Sequence, residues 1–321
     1  MSQARTDFTD LTEPYRRELI AHCYRLLGSA DDAEDLVQET YLRAWRSFDK
    51  FEGRSSVRTW LYRIATNACI TALRRRPRRA LPSGLRGPGE GADLLSQQPD
   101  VSWLQPIPDA MVIAESSDPA AIAVSRESLR LALVASLQYL PPRQRAVLIL
   151  RDVLAFPAAE AAGILGMTTV AVQSALQRAR TRLEQVSPAA DQLTEPSEPE
   201  ARAVLDRYIA AFENADAHAL KDLLHTEATL ELPPSPVWYA GDDAAAGATA
   251  GLGLPGDWRM VPTAANGQPA AAVYLRDADG TYRGYGVVVL TATRTGIAAI
   301  TGFADQALLA RFGLPSVYLK S

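Results

Sequence analysis

Gln173, Ser174, Gln177, Arg178 and Thr181 fall on one side of a helical repeat, while Val172, Leu176, Ala179 and Leu183 fall on the other at four, three, four spacing. The polar set suits hydrogen bonding to base edges. Gln and Arg pair bidentately with adenine and guanine, and Ser and Thr reach phosphates or either base, each good base pairing contributing about 1–3 kcal/mol of discrimination. Upstream, Pro157 begins a short helix, Ala161 and Ala162 allow close helix contact, Gly166 opens a turn, and Thr168 or Thr169 caps the next helix. That order reads as a helix-turn-helix, with Thr169 included in its DNA-contacting set. An ordinary helical hairpin with a polar outer face has the same pattern.

A second constellation lies earlier. Gly53 to Gly89 contains no acid but holds Arg54, Arg58, Arg63, Arg74, Arg75, Arg76, Arg78, Arg79 and Arg86. Arg63, Asn67 and Arg74 share one helical face near Thr66 and Thr71, with Phe51, Trp60 and Tyr62 close by. Cations that track phosphates beside aromatics that accept unstacked bases make a single-strand binding surface, so Arg58, Arg63, Asn67, Thr71, Arg74 and Arg75 are candidate nucleic-acid contacts. A solvated basic face over an aromatic core fits the residues equally well. A third set, Asp31 to Asp35 with Gln38 and Glu39, taken alone loads the positive end of a helix.

Other chemistry is disfavoured. Cys23 and Cys69 sit inside amphipathic helical patterns, which argues against a zinc site or a disulfide framework and for a reducing cytoplasm. No apolar run approaches the roughly 20 residues that span a bilayer, and Met1 to Asp10 lacks an apolar signal core. No metal, cofactor or catalytic residue is expected. The net charge of -4 conceals a basic first part and an acidic balance beyond Glu198, which favours a polyanion partner for the former alone.

The elements that position these residues follow from periodicity. Leu19, Ile20, Cys23, Leu26 and Leu27 recur until Gly28; Ser29 caps a helix with the stripe Leu36, Val37, Tyr41, Ala44, Trp45 and Phe48; Ser55 or Ser56 caps a third. These make an all-α domain over 11–79. Pro and Gly then recur through 80–125, a linker too apolar at Trp103 to Asp109 to be a passive spacer. A second all-α domain, 126–186, carries the helix-turn-helix. From 200 to 321 two helices are followed by short β-like runs, which predict a separate α+β domain.

Four stretches, Asp32 to Tyr41, Thr59 to Ala68, Leu140 to Arg145 and Ser174 to Arg180, resemble in order and spacing the successive signatures of extracytoplasmic-function (ECF) sigma factors of the sigma-70 family. The resemblance covers about Leu11 to Val186. It implies a protein that binds core RNA polymerase and directs promoter recognition, DNA melting and transcription initiation. Asp32, Asp35, Gln38 and Glu39 would dock on the clamp helices of the polymerase largest subunit. Arg54 to Arg76 would melt and read the minus-ten element as a single strand, with a flipped base near Asn67, at an unstacking cost of a few kcal/mol. Thr169 to Arg182 would read the minus-thirty-five duplex, and the linker would run through the active-site and RNA-exit channels.

Arg207 to Phe212, Asp216, Leu220 to Leu224 and Ala228 to Pro233 resemble the opening of a SnoaL-like domain, the cone-shaped α+β fold with a curved sheet shared with ketosteroid isomerases. Tyr208, Trp238, Tyr239, Trp258 and Tyr274 are candidates to line its pocket. Tyr208 matches the oxyanion-stabilising tyrosine of those isomerases, but Leu232 stands where their aspartate base would be, and leucine cannot abstract a proton. Glu231, adjacent on a strand, should point to the opposite face. The domain therefore reads as regulatory, acting in cis, with a small ligand or an anti-sigma protein as further partner. Two other readings compete: a one-component DNA-binding regulator with a ligand-sensing pocket, and an isomerase or hydrolase with a nucleic-acid-binding appendage.

Overall fold

Helix α1 (Arg16–Leu27) stops because Gly28 takes φ 68°, a left-handed conformation that costs glycine nothing. The structure is a computed structural model and describes residues 8–53, 55–75, 77–89, 100–113, 119–186 and 197–318. Ser29 caps α2 (Ala30–Ser47) by accepting from the Asp32 N–H at 3.2 Å. Of the two serines offered for α3 (Val57–Leu73), Ser56 caps, accepting from the Thr59 N–H at 3.1 Å. Further helices are α4 (Asp109–Val112), α5 (Pro119–Glu127), α6 (Leu131–Leu137), α7 (Pro142–Leu148), α8 (Ala158–Leu165) and α9 (Thr169–Val186). Helix thus resumes at Pro119, inside the stretch read as linker, and breaks between Glu127 and Leu131, where continuous helix was expected.

The described residues form two units, one running to Arg79 and from Asp109 to Val186, the other containing Ala80–Pro108 and everything from Ser197. In the first unit every residue from Leu19 to Leu27 is buried, His22 and Arg25 included. A helix buried all round has neighbours on all sides. Helices α2, α3, α4, α6 and α7 all pack on α1, so the two helical parts read from the sequence share one core. Arg25 donates to the Ser128 Oγ at 2.7 Å and to its carbonyl at 3.2 Å. Arg145 donates to the Gln138 Oε1 at 2.7 Å, to the Gln138 and Leu140 carbonyls at 2.9 and 3.2 Å, and to the Leu26 carbonyl at the end of α1. Burial lowers both guanidinium pKa values to about 10, which leaves them charged at neutral pH.

The second unit is α+β. Helices α10 (Glu198–Glu213), α11 (Ala217–Leu223), α12 (Asp242–Ala250) and α13 (Leu308–Arg311) accompany strands β1 (Leu224–Glu231), β2 (Trp238–Ala240), β3 (Trp258–Ala265), β4 (Gln268–Arg276), β5 (Tyr282–Ala292), β6 (Ile297–Phe303) and β7 (Val317–Tyr318). The sheet runs β2-β1-β6-β5-β4-β3, with β7 added on β5, and only β1 with β6 is parallel. Tyr208, Leu220, Leu230, Tyr239, Met260, Val288, Leu290 and Ile300 belong to one buried apolar cluster. This is the curved-sheet α+β domain expected from the SnoaL-like resemblance. The periodicity did not show β2, only three residues long, or α12, whose Asp-Asp-Ala-Ala-Ala-Gly-Ala-Thr-Ala carries no large apolar stripe.

The stretch from Ala80 to Pro108 is built into this unit. Ala80 and Trp103 form a parallel bridge, Leu104 and Ile107 are fully buried, and Pro108 bridges Ala265 at the end of β3. Ile107 and Asn266 exchange hydrogen bonds, the Ile107 N–H to the Asn266 Oδ1 and the Asn266 N–H to the Ile107 carbonyl, both at 3.0 Å. Asn266 sits at φ 59°, where asparagine is better tolerated than most residues.

Candidate nucleic-acid interface

Helix α9 sorts its side chains cleanly. Val172, Ala175, Leu176 and Ala179 are buried, whereas Thr169, Val170, Gln173, Ser174, Gln177, Arg178 and Thr181 are exposed. Gly166, at φ 61°, ends α8, and the Thr168 Oγ1 accepts from the Ala171 N–H at 3.1 Å, so Thr168 rather than Thr169 is the cap. Thr169, Gln173, Ser174, Gln177 and Arg178 thus share a solvent-facing surface, as the spacing implied. Arg180 is engaged by Asp152 through two hydrogen bonds of 2.8 and 2.7 Å.

The second basic surface divides. Arg63, Thr71, Arg74 and Arg75 are exposed; Arg54 and Arg76 lie outside the described residues. Arg58 departs from the expectation of a free phosphate contact. Its Nε donates to the Glu18 Oε1 at 2.7 Å, and its guanidinium lies over the rings of Tyr62 and Phe156 at 5.1 and 4.5 Å. A carboxylate within hydrogen-bond reach offsets the charge a phosphate would need. Asn67 donates to the Ile164 carbonyl of α8 at 3.1 Å, and the Thr59 hydroxyl to Glu160 at 3.1 Å. The first helix of the helix-turn-helix therefore engages the Asn67 amide nitrogen, which also donates to the Arg63 carbonyl at 2.7 Å. Trp60 stacks on Phe51 at 4.7 Å, and Tyr62 is fully buried with its hydroxyl on Glu18 at 2.9 Å.

On α2 the four residues carried over from the resemblance separate as well. Asp35 and Gln38 are exposed, Asp32 is paired with Arg79 at 2.8 Å, and Glu39 with Arg43 at 2.6 Å. The exposed edge instead runs Asp31, Asp35, Gln38, Leu42 and Trp45, the last two 58% and 40% exposed. Trp45 was expected in the buried stripe. Continuing the four, three, four spacing from Asp31 would have found both apolar residues.

In the second unit Tyr208 and Tyr239 lie in the apolar cluster and Trp258 packs against it. Burial pushes the Tyr208 phenol above its ordinary pKa. Two of the other proposed pocket residues lie elsewhere. The Trp238 indole N–H donates to the Arg86 carbonyl at 2.8 Å, and Tyr274 belongs to a separate cluster with Ala272 and Leu309, its hydroxyl donating to the Pro315 carbonyl at 3.0 Å. Strand alternation decides this: Tyr274 and Val273 must face opposite sides of β4. Leu232 packs against the main cluster, while Glu231 turns away and accepts from the Ser83 hydroxyl and N–H at 3.0 and 3.2 Å. Burial raises the Glu231 pKa, and the hydrogen bonds from Ser83 oppose that rise.

A helix-turn-helix sharing a core with a basic helical domain, followed by an α+β domain, defines a DNA-binding transcription protein. Residues 11–79 match the family described as Sigma-70 region 2, and residues 130–183 match Sigma-70, region 4. The chain is 50% identical over 318 residues to "ECF RNA polymerase sigma factor SigG" of Mycobacterium tuberculosis (strain CDC 1551 / Oshkosh), covering 98% of this chain and 85% of that one. It is 31% identical over 219 residues to "ECF RNA polymerase sigma factor SigJ" of Mycobacterium tuberculosis (strain ATCC 25618 / H37Rv), covering 68% and 62%. The crystal structure of Mycobacterium tuberculosis SigJ shares the fold, with a TM-score of 0.58 at 24% identity over 95% of this chain and 98% of that one. The chain belongs to the ECF RNA polymerase sigma factors of the sigma-70 family. That membership disfavours the reading as a one-component regulator. Among the described residues no helix is long and apolar enough to cross a membrane.

Proposed function

We propose that this sigma factor binds core RNA polymerase through the outer edge of α2, reads a minus-thirty-five duplex with α9, and holds the minus-ten single strand on α3. The observation that carries the reading is the face of α9, where Gln173, Ser174, Gln177 and Arg178 stand exposed opposite the buried Val172, Ala175, Leu176 and Ala179. On α2, Asp35 and Gln38 supply the polar contacts and Leu42 and Trp45 the apolar anchors that interfaces concentrate their energy on. On α3, Arg63, Thr71, Arg74 and Arg75 are ready to meet phosphates, while the Asn67 amide nitrogen donates to a base only after the Arg63 or Ile164 carbonyl releases it. The protein works in the cytoplasm, where RNA polymerase is.

The C-terminal domain acts in cis and not as an enzyme. Leu232 offers no proton acceptor, and Glu231 is spent on Ser83 on the far side of the strand. The same contact, with the Asn266–Ile107 exchange, gives the domain a hold on the stretch that joins the two DNA-reading parts. Tyr208, Tyr239 and Trp258 remain the residues through which a small ligand would reach the cone interior.

Run-off transcription from a genomic fragment library, with core RNA polymerase and this protein, tests the reading. Defined transcripts that require both components are expected. Tight sequence-specific duplex binding by the protein alone, without transcripts, would reject it. Deleting 197–321 is expected to change polymerase affinity or promoter output; unchanged values would remove the cis-regulatory role.

A further inference from the structure

Val170 is the most exposed large apolar side chain among the described residues of the helical unit, with 68% of its surface in water. It is the second residue of α9 and shares a face with Gln173, Ser174 and Gln177 at i, i+3, i+4 and i+7, turned away from the buried Val172 and Ala179. Nothing in the free protein rewards a valine there. It leaves apolar area in water and has lower helix propensity than alanine. Its side chain offers no donor or acceptor, so it cannot contact phosphate or a polar base edge. A group that it packs on in a complex is therefore apolar.

Recognition helices place their N-terminal residues against base edges in the major groove, and the apolar group displayed there is the thymine C5-methyl. The neighbouring glutamines have the geometry for adenine N6 and N7, on the same groove edge. We infer that Val170 packs on the C5-methyl of a thymine in the minus-thirty-five duplex, so that α9 selects an A·T pair at that position together with the flanking glutamines. This rests on the reading of α9 as the minus-thirty-five helix. Val170 acts as a specificity residue: a cytosine at that position has no methyl group, and the valine would face a polar edge that it cannot satisfy.

The test uses a promoter recovered by run-off transcription and holoenzyme made with the full chain. Each thymine of the minus-thirty-five region is replaced in turn by deoxyuridine, which removes the methyl and keeps every hydrogen bond, and affinity is titrated at one salt concentration. At one position the wild-type holoenzyme should bind about four-fold more weakly, the worth of one buried methyl-sized group at about 0.8 kcal/mol. Val170→Ala, which loses both γ-methyls, should bind the thymine duplex more weakly and respond less to uridine at that position. Its side chain is exposed and alanine favours helix, so the variant keeps the fold. Uridine effects that are absent, or equal in both proteins, overturn the thymine assignment. If Gln173→Ala and Gln177→Ala also leave minus-thirty-five discrimination intact, the assignment of α9 falls and this inference with it; if they abolish it while uridine is neutral, only the thymine contact is wrong.

Discussion

His22 shows what one residue can conceal. Its Nε2 lies 2.8 Å from the Thr66 hydroxyl, and burial, reinforced by Arg25 and Arg58, drives its pKa from 6.5 to about 3. The imidazole stays neutral in the folded protein while it titrates near 6.5 when unfolded. Stability is therefore full above 6.5 and lost as pH falls towards 3, at about 1.4 kcal/mol per pH unit. Chemical denaturation at pH 7.5 and 5 should show a loss of about 2 kcal/mol from this residue, and His22→Gln should flatten that slope. Arg145 is the second such residue. Arg145→Ala leaves the Leu26, Gln138 and Leu140 carbonyls short of donors in a buried site, and a cost of about 3 kcal/mol in unfolding free energy, measured by chemical denaturation, is expected. Neither role was legible in the sequence: His22 lies off the apolar stripe of its helix, and Arg145 is held partly by the Leu26 carbonyl, 119 positions away.

At the scale of elements, α3 and α8 share their contact residues. Phe156 is 3% exposed and meets Tyr62 edge to face at 5.0 Å, beneath the Arg58 guanidinium. Phe156→Ala should cost about 3–5 kcal/mol and raise hydrogen exchange along α8 and the first turns of α3. Unchanged exchange in α3 would show that the two helices are not coupled through that ring. The helix-turn-helix itself was readable, since Gly166, the Thr pair and the four, three, four stripe are local signals. That its first helix reaches back to Asn67 was not, because the 97 positions between Asn67 and Ile164 carry no periodic trace of the contact. Trp45 illustrates the opposite error: it was assigned inward with the apolar stripe, although an exposed Trp45 next to Leu42 and beside carboxylates suits a partner face.

At the scale of the whole molecule, the stretch between the two DNA-reading parts is built into the C-terminal unit. Asn266→Gly keeps the left-handed backbone but removes the acceptor for the Ile107 N–H, and a loss of about 1–2 kcal/mol is expected, with faster proteolysis within 80–108. Equal cleavage rates would mean that the exchange does not hold the stretch. Sequence alone determined most element types and the helix-turn-helix, because caps, turns and alternation act over a few residues, and it displayed the stretches that resemble the sigma and SnoaL-like families. It also showed that Trp103 to Asp109 was too apolar for water. Only the tertiary structure decided where that segment is buried, which arginines pair with carboxylates, and which aromatics join the main apolar cluster of the C-terminal unit. Those outcomes depend on partners about 40 to 160 positions away, such as Glu18 for Arg58 and Asn266 for Ile107, whose pairing leaves no local pattern for the chain to display.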